Sequence, residues 1–224
     1  LSKRITVAID GPAGSGKSTL ARRIAAKLGY AYVDTGAMYR AVALWALRTK
    51  VALSDMHRLE QLAKEARIEF NSDSSAVLLN GEDVTQQIRE PEIGAAASKI
   101  SQVAAVRRAL VAKQRAIGEQ TSVVMEGRDI GSVVFPDATV KIFLDAQPDK
   151  RTERRAQELS LPASDVAQQI HERDRRDRTR SESPLVQAPD AVYVDTTALT
   201  IDEVEAALLK LIRDRTSNGK ERTH

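Results

Sequence analysis

Eight residues near the N-terminus constrain this chain more than any others. Gly11-Pro12-Ala13-Gly14-Ser15-Gly16-Lys17-Ser18 fits G-x-x-x-x-G-K-[ST]. The flanks supply the context the pattern needs. Residues 5–9 are a short β-branched apolar run, which reads as a buried strand. From 18 to 28 apolar residues recur at helical spacing and stop at Gly29, a good C-cap. A glycine-rich loop between strand and helix turns backbone N–H groups inward around a phosphate, and the helix N-terminus adds favourable partial charge. Gly11, Pro12, Ala13, Gly14, Ser15, Gly16, Lys17, Ser18 and Thr19 are therefore the expected triphosphate-binding residues. Lys17 is expected on the β- and γ-phosphates and Ser18 on a magnesium ion.

The rest of the chain alternates. Short strands are predicted at 30–33, 122–125, 139–144 and 191–194, with helical patterns at 36–49, 55–66, 103–118 and 148–180. A last helix starts at Thr200-Ile201-Asp202-Glu203, a capping-box spacing, and carries Val204, Ala207, Leu208, Leu211 and Ile212 as its apolar stripe. Five apolar strands separated by helices imply an α/β fold of P-loop NTPase type: a five-stranded parallel sheet with helices on both faces. Its ligands belong at the carboxyl ends of the strands. Residues 67–85 break the alternation. Apolar 68–70, 77–79 and Val84 flank two turn signals, 71–75 and Asn80-Gly81, which predicts a small antiparallel β insert. The expected division is one unit: a core of about 1–50, 101–150 and 169–215, an insert of about 51–100, a short lid of about 151–168, and a frayed tail over 216–224.

Composition excludes several chemistries. Cysteine is absent, which removes disulfides, thiolate metal sites and cysteine nucleophiles. The histidines, His57, His171 and His224, are scattered, so neither a triad nor a histidine metal site is expected. No apolar run approaches the ~20 residues of a membrane span, and residues 1–4 lead into no secretory segment. A cytoplasmic protein with no membrane partner is expected. Residues 151–180 hold eight Arg and no Lys. The planar guanidinium fork matches phosphate. No aromatic residue interleaves that run, which argues against a nucleic-acid partner. No Asn-Lys-x-Asp segment supports a GTPase.

Three further motifs come after the P-loop in order. They are Asp34-Thr35-Gly36-Ala37-Met38-Tyr39-Arg40, then Glu126-Gly127-Arg128-Asp129-Ile130-Gly131-Ser132-Val133-Val134-Phe135-Pro136, then Arg173-Asp174-Arg175-Arg176-Asp177-Arg178-Thr179-Arg180. Together they closely resemble bacterial cytidylate kinases, over about residues 4–213. The resemblance implies transfer of the γ-phosphoryl group of ATP, with Mg²⁺, to CMP or dCMP, and it puts the β insert in the monophosphate-binding region. It assigns Arg40, Arg128 and Arg173 to the acceptor phosphate and Thr35 to the nucleotide's vicinity. Ser98, Arg107 and Asp129 go to the cytosine base, and Asp177 with Arg180 to the ribose. Lys17, Arg128 and Arg173 are the expected catalytic residues, and a monomer is expected.

Without the resemblance most of these residues have a plainer reading. Thr35 would cap a helix, Arg40 would be a solvated surface residue, and Arg128-Asp129 an exposed pair of little worth. Arg173, Asp177 and Arg180, spaced four and three, would form one salt-bridged helix face. Glu126 either orients magnesium-bound water or simply ends a strand. One or more of Arg151, Arg154 and Arg155 is expected to reach ATP when the lid closes and excludes water. Asp145 and Asp195 end strands and are expected to cap the next segment of chain. No general base is needed, because the acceptor phosphate is already ionised. The alternatives are another small-molecule P-loop kinase, of UMP/CMP or shikimate type, and a non-catalytic or nucleic-acid-linked ATPase.

Overall fold

The computed structural model describes residues 4–71 and 76–217. The first half of the chain runs β1 (Thr6–Asp10), α1 (Lys17–Leu28), β2 (Ala31–Asp34), α2 (Thr35–Arg48), α3 (Met56–Glu65), β3 (Ile68–Phe70), β4 (Val77–Leu79), β5 (Glu82–Asp83) and α4 (Pro91–Ile100). The second half runs α5 (Ala104–Gln120), β6 (Val123–Gly127), β7 (Val140–Asp145), α6 (Pro148–Leu159), α7 (Ala163–Thr179), β8 (Val192–Asp195) and α8 (Ile201–Ser217). Among the described residues no helix is long and apolar enough to cross a membrane.

The main sheet is wholly parallel, in the order β2-β6-β1-β7-β8. Its central strands are apolar on both faces because helices cover both. Side chains alternate accordingly. Val7, Ile9, Val124 and Ile142 pack against α1 and α8 through Ile24 and Leu208. Ala8, Val33 and Met125 face the larger core built by α2 to α5, with Met38, Leu59, Ile100 and Leu110. The period of two is what sends neighbouring residues of one strand into different cores.

The β insert forms as an antiparallel sheet, β3-β4-β5, with Ile68 opposite Leu79 and Phe70 opposite Val77. Asn80 and Gly81 take left-handed backbone conformations in the turn between β4 and β5, as an Asn-Gly turn requires. Residues 72–75 of the other expected turn lie outside the described residues. Val77, Leu79 and Val84 are buried in the same core as α2, so the insert is packed onto the sheet-bearing unit.

Several expectations need correction. The helical region 148–180 is two helices. Ser160 closes α6 in a left-handed conformation, and Pro162 stands at the start of α7. A proline ring locks its own backbone angle and pushes the residue before it away from helix, so one continuous helix cannot form there. Arg180 is the residue after α7, with extended backbone, and so does not share a helix face with Arg173 and Asp177. In α8, Ala207 is exposed and Leu211 only half-buried, whereas Glu205 and Leu209 are buried. Glu205 is admitted because Arg23 and Lys27 of α1 both pair with it, and a buried charge needs partners. The Thr200–Glu203 capping box is present. Thr216 and Ser217 end α8, so the frayed tail does not begin at 216, and residues 218–224 lie outside the described residues. Helix α4, absent from the sequence expectations, starts with Pro91 in its first turn and buries Ile93, Ala96, Ala97 and Ile100.

One contact ties the sheet to the loop after β6. The buried Asp10 carboxylate accepts from the N–H groups of Ile130 (2.8 Å) and Gly131 (2.7 Å). It thereby starts the short wide helical turn Ile130–Val134.

Candidate active site

The phosphate loop leaves the carboxyl end of β1 and closes against its neighbours backbone to backbone. A Cβ on Gly11 would sit 1.9 Å from the Leu144 carbonyl oxygen, and one on Gly14 2.5 Å from that of Arg151. Both glycines have positive φ, so neither tolerates a side chain. Gly16 precedes α1 without a side-chain cap, which leaves the helix N-terminus to the loop's ligand. Lys17 is buried. Its Nζ donates to Pro12 O (2.6 Å) and Ser15 Oγ (3.3 Å). Burial, and next the charge of Arg128, lower its pKa to about 7.

Ser18 Oγ donates to Glu126 Oε1 at 2.6 Å, and the Tyr32 hydroxyl donates to the same oxygen at 3.3 Å. Burial and the neighbouring Asp34 raise the Glu126 pKa. Among the described residues no cluster of three or more metal-ligating side chains exists. A lone hydroxyl beside a lone carboxylate suits Mg²⁺, which keeps several waters and takes its remaining ligands from phosphates. The donor set present fits that ion.

A group of cations stands at the carboxyl ends of β2 and β6 and on α7. Arg40 pairs with Asp34 at 2.7 Å, and Arg128 Nε donates to Asp177 Oδ2 at 3.0 Å. Arg173 makes no hydrogen bond or ion pair among the described residues. Burial, then the charge of Arg128, lower its pKa to about 10, and Arg40 and Arg155 act in the same direction. Asp34 and Asp177 offset only part of this charge, since the Arg173 guanidinium still has its pKa lowered by burial and by the cations around it, and a buried cation without a direct partner suits an anion. The helix cap here is Asp34, which accepts from Ala37 N at 2.9 Å. Thr35, expected as a possible cap, instead donates to the Glu126 carbonyl oxygen at 2.8 Å. The Arg128-Asp129 pair is neither exposed nor mutual.

A second cluster adjoins the first through Asp177, whose other oxygen lies 3.6 Å from Arg180. Asp129 is buried between Arg107, whose NH2 donates to Oδ2 at 2.5 Å, and Arg180, 3.6 Å from Oδ1. Arg107 also lies over the Tyr39 ring at 5.4 Å and donates to Ser101 O at 3.3 Å. Ser101 Oγ in turn donates to Ser98 O. Three buried donors here have no hydrogen-bond partner: Ser98 Oγ, Arg107 Nε and Arg180 NH2. Leaving such groups unpaired costs about 1–3 kcal/mol each, so their retention beside a carboxylate points to a polar ligand.

The residues expected on the two nucleotides and the metal, from Lys17 to Arg180, thus fall in the loop or in these two clusters. Arg151 and Arg154 do not. Arg151 donates to the Ala13 and Ala146 carbonyl oxygens, and Arg154 to Thr196. Of the three lid arginines only Arg155, paired with the exposed Glu158, keeps a surface partner. Asp145 and Asp195 accept from Ala146 N and Thr197 N, closing turns rather than helices. Sequence reasoning gives no role to Asp34, Tyr39 or Asp174. Asp34 and Tyr39 lie inside a quoted motif, and Asp174 inside the Arg run. A groove of about 620 Å³ lies on the α6–α7 hairpin and is lined by Asp149, Glu153, Ala156 and Leu161 among others. It presents acidic and apolar groups and has the wrong sign for phosphate.

The family model described as cytidylate kinase matches residues 7–214. This chain belongs to the cytidylate kinase family. A cytidylate kinase of Solibacter usitatus is 60% identical over 226 residues, covering 98% of this chain and 97% of that one. One from Pelotomaculum thermopropionicum is 47% identical, covering 96% of each. Among solved structures, a gluconokinase from Sinorhizobium meliloti superposes with a TM-score of 0.52 at 16% identity, covering 99% of this chain and 100% of that one. An uncharacterized protein from Eubacterium ventriosum gives 0.54 at 14%, covering 95% and 99%. These two share the fold.

Proposed function

We infer that this member of the family transfers the γ-phosphoryl group of ATP to CMP or dCMP, giving ADP and CDP or dCDP. Family membership supports the reaction, and one local observation supports the base. Beside the Asp129 acceptor stand two buried, unpartnered donors, Arg107 Nε and Ser98 Oγ. Cytosine offers an amine donor next to ring nitrogen and carbonyl acceptors, the complement of that set. Uracil presents a carbonyl and an N–H instead, reversing two of the three.

The phosphate loop, Gly11 to Thr19, holds the donor. Ser18, with Glu126 acting through water, would hold Mg²⁺, which supplies charge neutralisation between the β- and γ-phosphates. Lys17 balances the charge that develops on the transferring group. Arg40, Arg128 and Arg173 hold the acceptor phosphate in line, and Asp177 with Arg180 the ribose, while Thr35 fixes the strand ends that face each other. Positioning and charge do the chemistry. The acceptor oxygen is already ionised, so no side chain removes a proton. We assign residues 51–100 to the acceptor side and 151–168 to a lid over the donor. Both clusters come from one chain, which supports a monomer working where ATP and CMP meet, in the cytoplasm.

A coupled ADP-release assay with CMP, dCMP, UMP, AMP, GMP and shikimate tests the reading. CMP and dCMP are expected to exceed every other acceptor in kcat/KM by at least tenfold. UMP turned over as well as CMP, or shikimate preferred, would move the chain to another kinase specificity.

A further inference from the structure

The middle of the phosphate loop is held from outside by a pair that the reaction itself does not use. Ala13 N–H donates to Asp174 Oδ1 at 3.3 Å, and Ala13 O accepts from Arg151 NH1 at 3.0 Å. The same Arg151 nitrogen donates to Asp174 Oδ2 at 2.5 Å. Arg151 and Asp174 are both buried. The Ala13 methyl packs with Ala156, Val166 and Ile170, a small core separate from the two that flank the sheet. The next residue, Gly14, lies against the Arg151 carbonyl too closely for any side chain. One loop residue is therefore gripped by its N–H, its carbonyl and its methyl, from both α6 and α7.

The grip matters because of the residues α7 carries. Arg173 precedes Asp174, and Asp177 lies one turn on, paired with Arg128. We propose that Asp174 and Arg151 are positioning residues: they join the phosphate loop to α7 at Ala13, so that the donor's loop and the acceptor's Arg173 and Asp177 are set as one rigid unit. Resting on the function proposed above, this adds to it a joint between the two substrate sites. In-line transfer is sensitive to such a joint, since a displacement of about 1 Å costs about 100-fold in rate. It also limits the lid. Arg151, with Ala156 and Val166 packed on Ala13, belongs to the fixed part, and closure falls to the rest of the α6–α7 hairpin.

Asp174→Asn keeps the size and an acceptor for Ala13 N–H but removes the charge that holds Arg151. Arg151→Lys keeps the charge and loses the second donor, and Arg151→Met loses both. The measurements are kcat and both KM values, with circular-dichroism melting as a check on folding. The expected result is a kcat lowered about 10- to 100-fold in Asp174→Asn with each KM within threefold. Arg151→Lys is expected between wild type and Arg151→Met, and the double variant Asp174→Asn/Arg151→Met within threefold of the worse single one. A folded Asp174→Asn with kcat within threefold of wild type overturns the proposal. So does a double variant whose losses multiply, or a loss confined to KM. Wild-type turnover of CMP, measured alongside, tests the function separately.

Discussion

Lys17 sits where removing a charge should harm catalysis and spare the fold. Its ammonium is buried, with Arg128 and Arg173 set against Glu126 and Asp174, so Lys17→Met relieves above all the cost of burying a charge. A melting temperature equal to or above wild type is expected, with kcat lower by about 100- to 1000-fold, the usual scale for a lost transition-state donor. Normal turnover by that variant removes the phosphate-loop assignment. Its proton gives a second reading. Burial lowers the Lys17 pKa to about 7 in the free protein, and a polyphosphate restores the charged form. Binding above pH 7 must then take up a proton, from about a quarter per MgATP at pH 6.5 toward about one at pH 8.5. Calorimetry in buffers of different ionisation heat measures it, and an uptake flat with pH, or unchanged in Lys17→Met, contradicts this. At the base, an ionised Asp129 accepts and cannot donate. Asp129→Asn is expected to narrow the ratio of kcat/KM for CMP over UMP about tenfold, from the ~1–3 kcal/mol of one mispaired polar group. An unchanged ratio in a folded variant shifts base selection to Ser98 and Arg107.

Between the sheet and the substrate residues the decisive element is the turn Ile130–Val134, and Asp10 starts it. Asp10→Ala leaves two buried N–H groups unpaired and is expected to destabilise by about 2–6 kcal/mol, at about 1–3 for each group. Urea unfolding measures it, and a loss under 1 kcal/mol would show that the turn holds itself. Legibility in the sequence obeys the same logic of local cause. The strands, the phosphate loop and the β insert announce themselves through alternation, glycine spacing and an Asn-Gly turn. Helix α4 is easily missed although Ile93, Ala96, Ala97 and Ile100 recur at helical spacing, because it is short, its stripe is half alanine, and Gly94 interrupts it. Asp174 is hidden because an Asp within an Arg run reads as a solvated pair until the fold brings Ala13 beside it. Thr35 and Asp34 are both good capping residues, and only the strand end decides between them. The stripe of α8 is disguised by a charge, since Glu205 occupies a core position that Arg23 and Lys27 make habitable.

Across the whole molecule, the site is assembled from segments far apart along the chain. Asp129 and Arg128 lie just past β6, Ser98 and Arg107 come from α4 and α5, and Asp177 from α7. None of these neighbours is near the phosphate loop in sequence, so single motifs name the residues while their partners become visible only in three dimensions. The strand order has one more consequence, and it concerns synthesis. β1 is the first strand made, yet it is the central one, pairing Thr6 with Val123 and Val7 with Val140, more than half the chain away. A ribosome therefore exposes the apolar β1 and its glycine loop long before either flanking strand exists. Contacts at such separation form late. Nascent chains stalled before Val123 emerges are expected to be cut by protease within residues 6–16, and chains stalled after Asp145 emerges to be protected there. The order in which the polypeptide is born thus makes nucleotide binding one of the last properties it acquires, and leaves its most functional segment without its flanking strands for longest.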